Sequence, residues 1–446
     1  MSIELHLLAE RSVPRYTSYP TAPHFHAGVG QDIYVSWLET LSPEAKLSLY
    51  LHVPFCRELC HYCGCQTKAV HRRAPVDGYA RALKAEIAVV GRHLRGQPVS
   101  HWHWGGGTPS MLRPDQFLEL SDELARYVDL GAVREHAVEL DPRYVTPELV
   151  ASLVRIGVNR ASLGVQDLAP DVQQAIGRIQ PYETVSQAVE VLRGGGTDAI
   201  NFDLMYGLPR QTVEGISKTA EQVCALSPAR IALFGYAHVP WFKKQQRLIN
   251  AAELPGLHAR LAQMEAAQQV FLAHGYRAVG IDHFAAPGDS LAEVAAIGAL
   301  RRNFQGYTTD NAAALIGFGA SAIGRLPQGF VQNAPDIGGY ARAVSAGQLA
   351  TVRGIELGEE DRHRGAIIER LMCDMCVDLR DFTTGDPAVE FYDEREALQP
   401  YAAEGLVVIE PSQVTVTAKG RPYLRLIAAA FDTYLAAGKA AHSRAV

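Results

Sequence analysis

Nothing in the 446 residues is apolar for long enough to cross a bilayer. The charge-free run from 311 to 324 covers fourteen residues and holds three glycines, whereas a spanning helix needs about twenty apolar ones. The start, Met1-Ser-Ile-Glu-Leu-His, has an early acid and no basic segment before an apolar run. It reads as lacking a secretory leader, which implies a cytoplasmic address. Excess positive charge is missing as well: 42 lysines and arginines face 48 aspartates and glutamates, so the net charge of −6 offers nucleic acid no overall attraction. An anionic substrate would need a local group of cations. Neither a second cysteine pair nor a histidine pair follows the first cysteines at the spacing a zinc knuckle needs, which argues against one. Repeats and low-complexity segments are absent too, and the length suggests two or three domains.

What is present is an alternation. From 47 to 285, short apolar runs alternate with amphipathic ones. The strand-like runs are Leu47-Ser-Leu-Tyr-Leu-His-Val, Ser100-His-Trp-His-Trp, Glu135-His-Ala-Val-Glu-Leu, Arg160-Ala-Ser-Leu-Gly-Val, Ala199-Ile-Asn-Phe-Asp-Leu and Arg230-Ile-Ala-Leu-Phe-Gly. Helical patterns follow at about 79–93, 115–127, 147–156, 171–193, 212–226 and 257–274. Six such units predict an α/β fold built on a parallel sheet, an incomplete (β/α)6 barrel. An arm, residues 1–46, precedes it. A linking region, 286–354, follows and completes the active site. Residues 355–446 form a smaller, mostly helical C-terminal domain with a hairpin pattern over 405–417.

Seven cysteines occur, and Cys56, Cys60, Cys63 and Cys65 fall within ten residues. Crowded cytosolic cysteines are more often metal ligands than disulfides. Cys56, Cys60 and Cys63 follow the first strand, and three thiolates hold three irons of a [4Fe–4S] cluster while leaving the fourth iron open. The amino and carboxylate groups of S-adenosylmethionine can chelate there. An electron from the cluster then breaks the sulfonium C–S bond, giving methionine and a 5′-deoxyadenosyl radical. Cys65 reads as a spare thiol beside the ligands or as a ligand itself, and Tyr62 as a ring against an adenine or as loop packing. Cys224, and Cys373 with Cys376 in a helical, methionine-rich stretch, read as core, as do His101 and His103.

Polar or small residues collect at the C-terminal ends of successive strands: Tyr50, Gly105-Gly-Gly-Thr108, Glu139 with Asp141, Gln166 with Asp167, Asp203, and Tyr236-Ala237. In parallel βα architectures that rim binds ligands. The glycine run suits close approach of backbone amides to a ligand. Arg178 and Asp203 pair with each other or clamp the charged ends of a ligand.

The cysteine loop with Gly105–Pro109 looks like a radical-SAM enzyme. Further runs narrow the likeness: Arg15-Tyr-Thr-Ser-Tyr-Pro-Thr-Ala22, Pro54-Phe-Cys-Arg-Glu-Leu-Cys-His-Tyr-Cys-Gly-Cys65, Gly164-Val-Gln-Asp167, Asp203-Leu-Met-Tyr-Gly-Leu-Pro209, Gly280-Ile-Asp-His-Phe-Ala285 and Arg302-Asn-Phe-Gln-Gly-Tyr-Thr-Thr309. Together they resemble the oxygen-independent coproporphyrinogen III oxidases over nearly the whole chain. The resemblance implies conversion of coproporphyrinogen III to protoporphyrinogen IX, two propionates becoming vinyls. It implies one [4Fe–4S] cluster on Cys56, Cys60 and Cys63, and two molecules of S-adenosylmethionine. By motif position the cluster-bound molecule touches Tyr50, Tyr62, Gly106, Glu139 and Ile323. The second meets Gly107, Thr108, Gln166, Arg178, Asp203 and Ala237, while Cys65, like Tyr50, serves turnover. His61 stands where an aromatic is usual, and Gly177 where asparagine commonly precedes the arginine.

The expected partners are coproporphyrinogen III and an electron donor such as a flavodoxin or ferredoxin, with no nucleic acid, no integral membrane association and a monomeric state. A haem chaperone of the same superfamily is the rival reading; the arm, Cys65 and the 302–309 run argue against it. A DNA-binding tail is a weaker one, since the hairpin carries Glu410 and no basic residue before Lys419. For the substrate propionates, Arg15 and the pair Arg301-Arg302 are the expected cations.

Overall fold

In the computed structural model of the chain, residues 11–437 are described; the segment read for a leader, and the outer ends of the arm and tail, lie outside them. Six parallel strands form where the apolar runs predict them: β1 (Leu47–Val53), β2 (Val99–Gly106), β3 (Glu135–Leu140), β4 (Arg160–Gln166), β5 (Ala199–Tyr206) and β6 (Arg230–Gly235). They neighbour one another in sequence order. Helices follow them, from Arg73–Gly91 to Leu257–Ala273, and the predicted 171–193 helix is two, Pro170–Ala175 and Tyr182–Gly194.

The sheet runs further than the six units on both sides. Beyond β6 come β7 (Arg277–Val279) and β8 (His283–Ala285), both antiparallel. On the other flank β9 (Ala314–Phe318) lies parallel to β1, then β10 (Ile323–Leu326), β11 (Gly329–Asn333) and β12 (Thr351–Glu356) continue antiparallel. The twelve strands end in two edges, so the barrel stays open. The region read as a link therefore supplies four strands of the sheet. Its short strands are punctuated by glycines, which hides them from a search for βα alternation.

Alternation along each strand sorts side chains to two sides. On β5, Ile200, Phe202, Leu204 and Tyr206 are buried while Asn201, Asp203 and Met205 are half-buried. On β2, Trp102 and Trp104 are buried while His101 and His103 are half-open. The apolar set joins the helices in one large core, and the polar set lines the barrel interior. Low in that interior, Arg160 and Arg230 are matched by Glu135 and Asp289 in a closed four-member ion network.

The tail packs helices Glu359–Asp374 and Tyr392–Ala403 on a three-stranded sheet of Cys376–Asp378, Val407–Ile409 and Gln413–Val416. Cys373 is buried in the helix, but Cys376 opens a strand rather than continuing the helix, because Met375 adopts a left-handed cap. This second core also takes in Val13, Tyr16 and Tyr19 from the arm, and Tyr16 donates to Asp432 at 3.0 Å. The helix Gln31–Glu39 instead packs on the barrel core. Among the described residues no helix is long and apolar enough to cross a membrane.

Candidate active site

The thiol loop leaves the end of β1. All seven cysteines are free, and each of the three spaced thiols has its own polar neighbour. Thr67 Oγ1 lies 3.4 Å from Cys56 Sγ, Arg178 Nη1 donates to Cys60 Sγ at 3.5 Å, and the Cys65 amide donates to Cys63 Sγ at 3.4 Å. Such donors stabilise thiolate, the form that binds metal. Cys63 is drawn down to about 7, chiefly by its contact with Cys65, while burial pushes Cys56 up to about 11. Among the described residues no three Cys, His, Asp or Glu side chains converge tightly enough for a single ion. Three free thiols in one loop, each with a donor, fit a multi-iron unit better than a lone tetrahedral ion.

One lysine and two glutamines hold this loop from outside. Lys243 Nζ donates to the Cys65 carbonyl at 3.0 Å, Gln245 Nε2 to the Cys63 carbonyl at 2.5 Å, and Gln246 Nε2 to the Tyr62 carbonyl at 2.8 Å. Gln246 also reaches the Ala237 carbonyl at 3.2 Å, tying Ala237 to Tyr62. The two departures from the family pattern touch each other. The His61 ring occupies the space that a Cβ on Gly177 would enter, 2.7 Å from Nε2, and Gly177 has φ +63°, so the glycine accommodates the histidine.

Beneath the loop, the upper level of the interior carries two carboxylates with opposed environments. Burial pushes Glu139 up, but a 2.9 Å contact with His103 Nε2 and the Gly106 amide at 3.2 Å hold it below its ordinary range. Burial and the neighbouring Glu139 charge instead push Asp203 up to about 6, with Ser162 Oγ donating to it at 3.1 Å. Tyr50 stacks near the His103 ring, with 5.9 Å between centroids, and its hydroxyl contacts His52 Nδ1 at 2.9 Å. Because His52 Nε2 faces the Gln66 carbonyl at 3.0 Å, it must donate there, so Nδ1 accepts from Tyr50. His52 thus links Tyr50 to the thiol loop. Its burial keeps it neutral.

The glycine run is used differently from the expectation. The Gly107 and Thr108 amides bond the Val53 and Phe55 carbonyls, and the Gly106 amide goes to Glu139, so these amides are engaged by the protein. Close packing demands the glycines: at Gly106, with φ +119°, a Cβ would lie 2.9 Å from the His52 ring. Thr108 Oγ1 pairs with Ser110 Oγ at 3.2 Å.

Arg178 does not pair with Asp203. Its Nη1 meets Asp141 at 3.1 Å, its Nε donates to Gln180 at 3.0 Å, and its Nη2 donates to the Gly164 carbonyl at 2.8 Å. Asp141, which burial would raise, is held down by Arg143 and Arg178. Gln166 sits beside Gly164 in a left-handed conformation at φ +68°, strain of the kind that gathers at functional sites. Ile323 opens β10 beside β9, whose Gly317 is in register with Tyr50. The structure therefore groups Tyr50, Gly106 and Glu139 with His52 and His103, brings Gln166 and Arg178 together at Gly164, and ties Tyr62 to Ala237 through Gln246. His52, His103, Gln180 and Gln246 were missed by sequence reasoning. The signal for the first was its place two residues from Tyr50, on the same strand face.

Comparison with known proteins identifies the family of the chain. The radical SAM superfamily model matches residues 50–223, and the HemN C-terminal domain model matches residues 357–423. An oxygen-independent coproporphyrinogen III oxidase of Bradyrhizobium diazoefficiens is 47% identical over 443 residues, covering 98% of each chain. That of Escherichia coli is 37% identical over 430 residues, covering 95% of this chain and 93% of its own. The solved structure of Escherichia coli coproporphyrinogen III oxidase (HemN), described as a radical SAM enzyme, superposes with a TM-score of 0.89 at 36% identity. It covers 95% of this chain and 100% of its own. The chain belongs to the oxygen-independent coproporphyrinogen III oxidase family of the radical SAM superfamily.

Proposed function

We propose that the chain converts coproporphyrinogen III to protoporphyrinogen IX without oxygen, as a monomer in the cytoplasm. Each of two propionates loses a β-hydrogen atom, carbon dioxide and one electron, which an external acceptor takes, and a vinyl group remains. Cys56, Cys60 and Cys63 hold one [4Fe–4S] cluster, which supplies the electron that opens the sulfonium of S-adenosylmethionine. A flavodoxin- or ferredoxin-like donor reduces it. Two molecules of S-adenosylmethionine bind, one against Tyr50, Tyr62, Gly106, Glu139 and Ile323, the other against Gly107, Thr108, Gln166, Arg178, Asp203 and Ala237. The engaged amides and the committed Arg178 mean that carbonyls and carboxylates, above all Glu139 and Asp203, provide most of the recognition. Cys65 and Tyr50 serve turnover.

The observation that supports this reading is the pair of links from the thiol loop to the strand ends, His52 joining the Gln66 carbonyl to Tyr50 and Arg178 joining Cys60 to Asp141. The domain division proposed with it runs 1–46, 47–285, 286–354 and 355–446. Anaerobic turnover of the reconstituted holoenzyme with coproporphyrinogen III, followed by chromatography, tests the activity. Monovinyl and then divinyl products are expected. Cleavage of S-adenosylmethionine with no vinyl product from this substrate would refute it.

A further inference from the structure

Beside the thiol loop lies a cavity of about 300 Å³ whose charged lining is of one sign. Arg57, His71, Arg72 and Arg73 reach it, with Val70 and Met111, and among the described residues no aspartate or glutamate does. A short strand pairing brings these groups together. Phe55–Cys56 runs parallel to Lys68–Ala69, so the chain that leaves Cys56 as Arg57 returns beside it to Val70 and the basic run His71-Arg-Arg73. The Val70 amide donates to the Cys56 carbonyl at 2.9 Å, and Thr67 Oγ1, on the same return, lies 3.4 Å from Cys56 Sγ. The cavity therefore abuts the first of the three spaced thiols through a covalent neighbour, Arg57, and a hydrogen-bonded one, Val70.

The arginines here lack counter-charge. Arg73 donates to the Met111 carbonyl at 2.7 Å, and Arg57 lies 4.3 Å over the Tyr144 ring, contacts that leave both positive charges unanswered. Among the described residues Arg57, Arg72 and Arg73 form no ion pair, and Glu58, the acid next along, is held by Arg143 at 3.2 Å. Lys68 is left out of the group, being within electrostatic range of Asp336. A second cavity on the same helix, Arg73–Gly91, gives the contrast. It holds about 260 Å³ and takes Arg81, Lys84 and Arg113, but Asp77 and Glu119 line it too. There Arg113 pairs with Asp77, and Lys84 with Glu119 at 3.7 Å.

Arg57, His71, Arg72 and Arg73 are all exposed. Exposed ion pairs contribute little to stability, so folding alone does not require this one-sided grouping. Its consequence is for association. A chain of net charge −6 repels an acidic protein at long range, and a local cationic patch gives that protein one favourable approach. Electron-transfer encounters are small and transient, and opposite charge speeds their formation.

We propose that this cavity and its rim, Arg57, His71, Arg72 and Arg73, form the docking face for an acidic one-electron donor protein, which passes its electron to the cluster beside Cys56. This rests on the cluster assigned above to Cys56, Cys60 and Cys63 and names where its reductant lands. The donor loses one electron as the cluster gains one, and no atom is transferred.

Stopped-flow reduction of the reconstituted holoenzyme tests it, with photoreduced flavodoxin, an acidic flavoprotein, as the probe. At low ionic strength Arg72→Glu should slow cluster reduction about tenfold, and Arg57→Gln added to it should slow it further. The difference should shrink as salt is raised. Reduced methyl viologen, a small cation, should reduce the variants no more slowly than the parent, with cluster content retained as the check on folding. Lys218→Glu, the same charge change on the exposed side of the helix Val213–Ala225, should leave the flavodoxin rate unchanged. Arg72→Gln, a milder change, should slow flavodoxin about threefold, and decides the matter if the Glu variant loads its cluster poorly. Equal flavodoxin rates in parent and Arg72 variants overturn the docking face. Equal slowing by Lys218→Glu also overturns it, since net charge alone would then govern the rate. Binding of inorganic phosphate that Arg72→Glu abolishes, with flavodoxin rates unchanged, would make the cavity a small-anion site instead. A parent protein that loads no iron–sulfur cluster would overturn the functional reading itself.

Discussion

The thiol loop and the core that joins arm to tail are assembled in opposite ways. The loop takes four thiols from ten consecutive residues, and its geometry depends on nearby strand ends. The joining core takes Val13, Tyr16 and Tyr19 from the arm and its other members from between residues 367 and 431 of the tail. The thiol loop is therefore a local frame, and the joining core a long-range convergence. The difference teaches that the contacts of the thiol loop should survive damage to the packing of arm on tail.

The sharpest way to break this comparison is at Cys65. It lies beside the three spaced thiols without being needed to complete them, so Cys65→Ser should keep the cluster absorbance and lose product formation altogether. Loss of the cluster would make Cys65 a ligand and the loop a different kind of site.

A smaller effect is expected at His52, which joins Tyr50 to the Gln66 carbonyl. Replacing it by phenylalanine removes two part-buried hydrogen bonds, of about 1 kcal/mol each, so affinity for S-adenosylmethionine should fall by up to about thirtyfold. Porphyrinogen affinity should hold. Equal loss of both would show that His52 does not act on the thiol loop alone.

Asp203 sharpens the same point through pH. Burial and Glu139 raise it to about 6 from an ordinary 3.8, so the folded protein holds a proton that the unfolded chain releases. Stability should thus fall as pH rises from about 4 to about 6 and level off above, and this component should vanish in Asp203→Asn. Above about 6 the group is ionised. Binding of S-adenosylmethionine should weaken severalfold as pH falls through that value in the parent, and stay flat in Asp203→Asn. A parent profile that matches the variant would remove Asp203 from the site.

The smallest effect concerns the arm. Tyr16→Phe removes the buried bond to Asp432 and should cost about 1 kcal/mol in thermal or denaturant unfolding. No change would show that the arm contributes little to the tail's core.

Legibility in the sequence follows the same division. Strands β1, β3 and β6 begin and end where the apolar runs do, because parallel strands buried on both faces read as continuous runs. The rim residues Tyr50, Glu139 and Asp203 could be placed because strand period and strand end determine where they point. The strands of 314–356 were not legible, since antiparallel additions to a sheet edge leave no helical punctuation. Nor was Arg178's partner: Asp141 and Asp203 end neighbouring units equally well, and only the three-dimensional path of the loop selects Asp141. Arg301 and Arg302 looked equivalent as adjacent cations. A two-residue hairpin register sends one out to Glu369 and the other inward over Tyr307, and sequence carries no sign of that register.

The central claim, that the loop bearing Cys56, Cys60 and Cys63 holds one iron–sulfur cluster that supports the chemistry, is tested most directly by iron and acid-labile sulfide analysis of the anaerobically reconstituted protein. The account predicts one [4Fe–4S] cluster, about four irons and four sulfides per chain. About eight irons per chain, or zinc in place of iron, would contradict it.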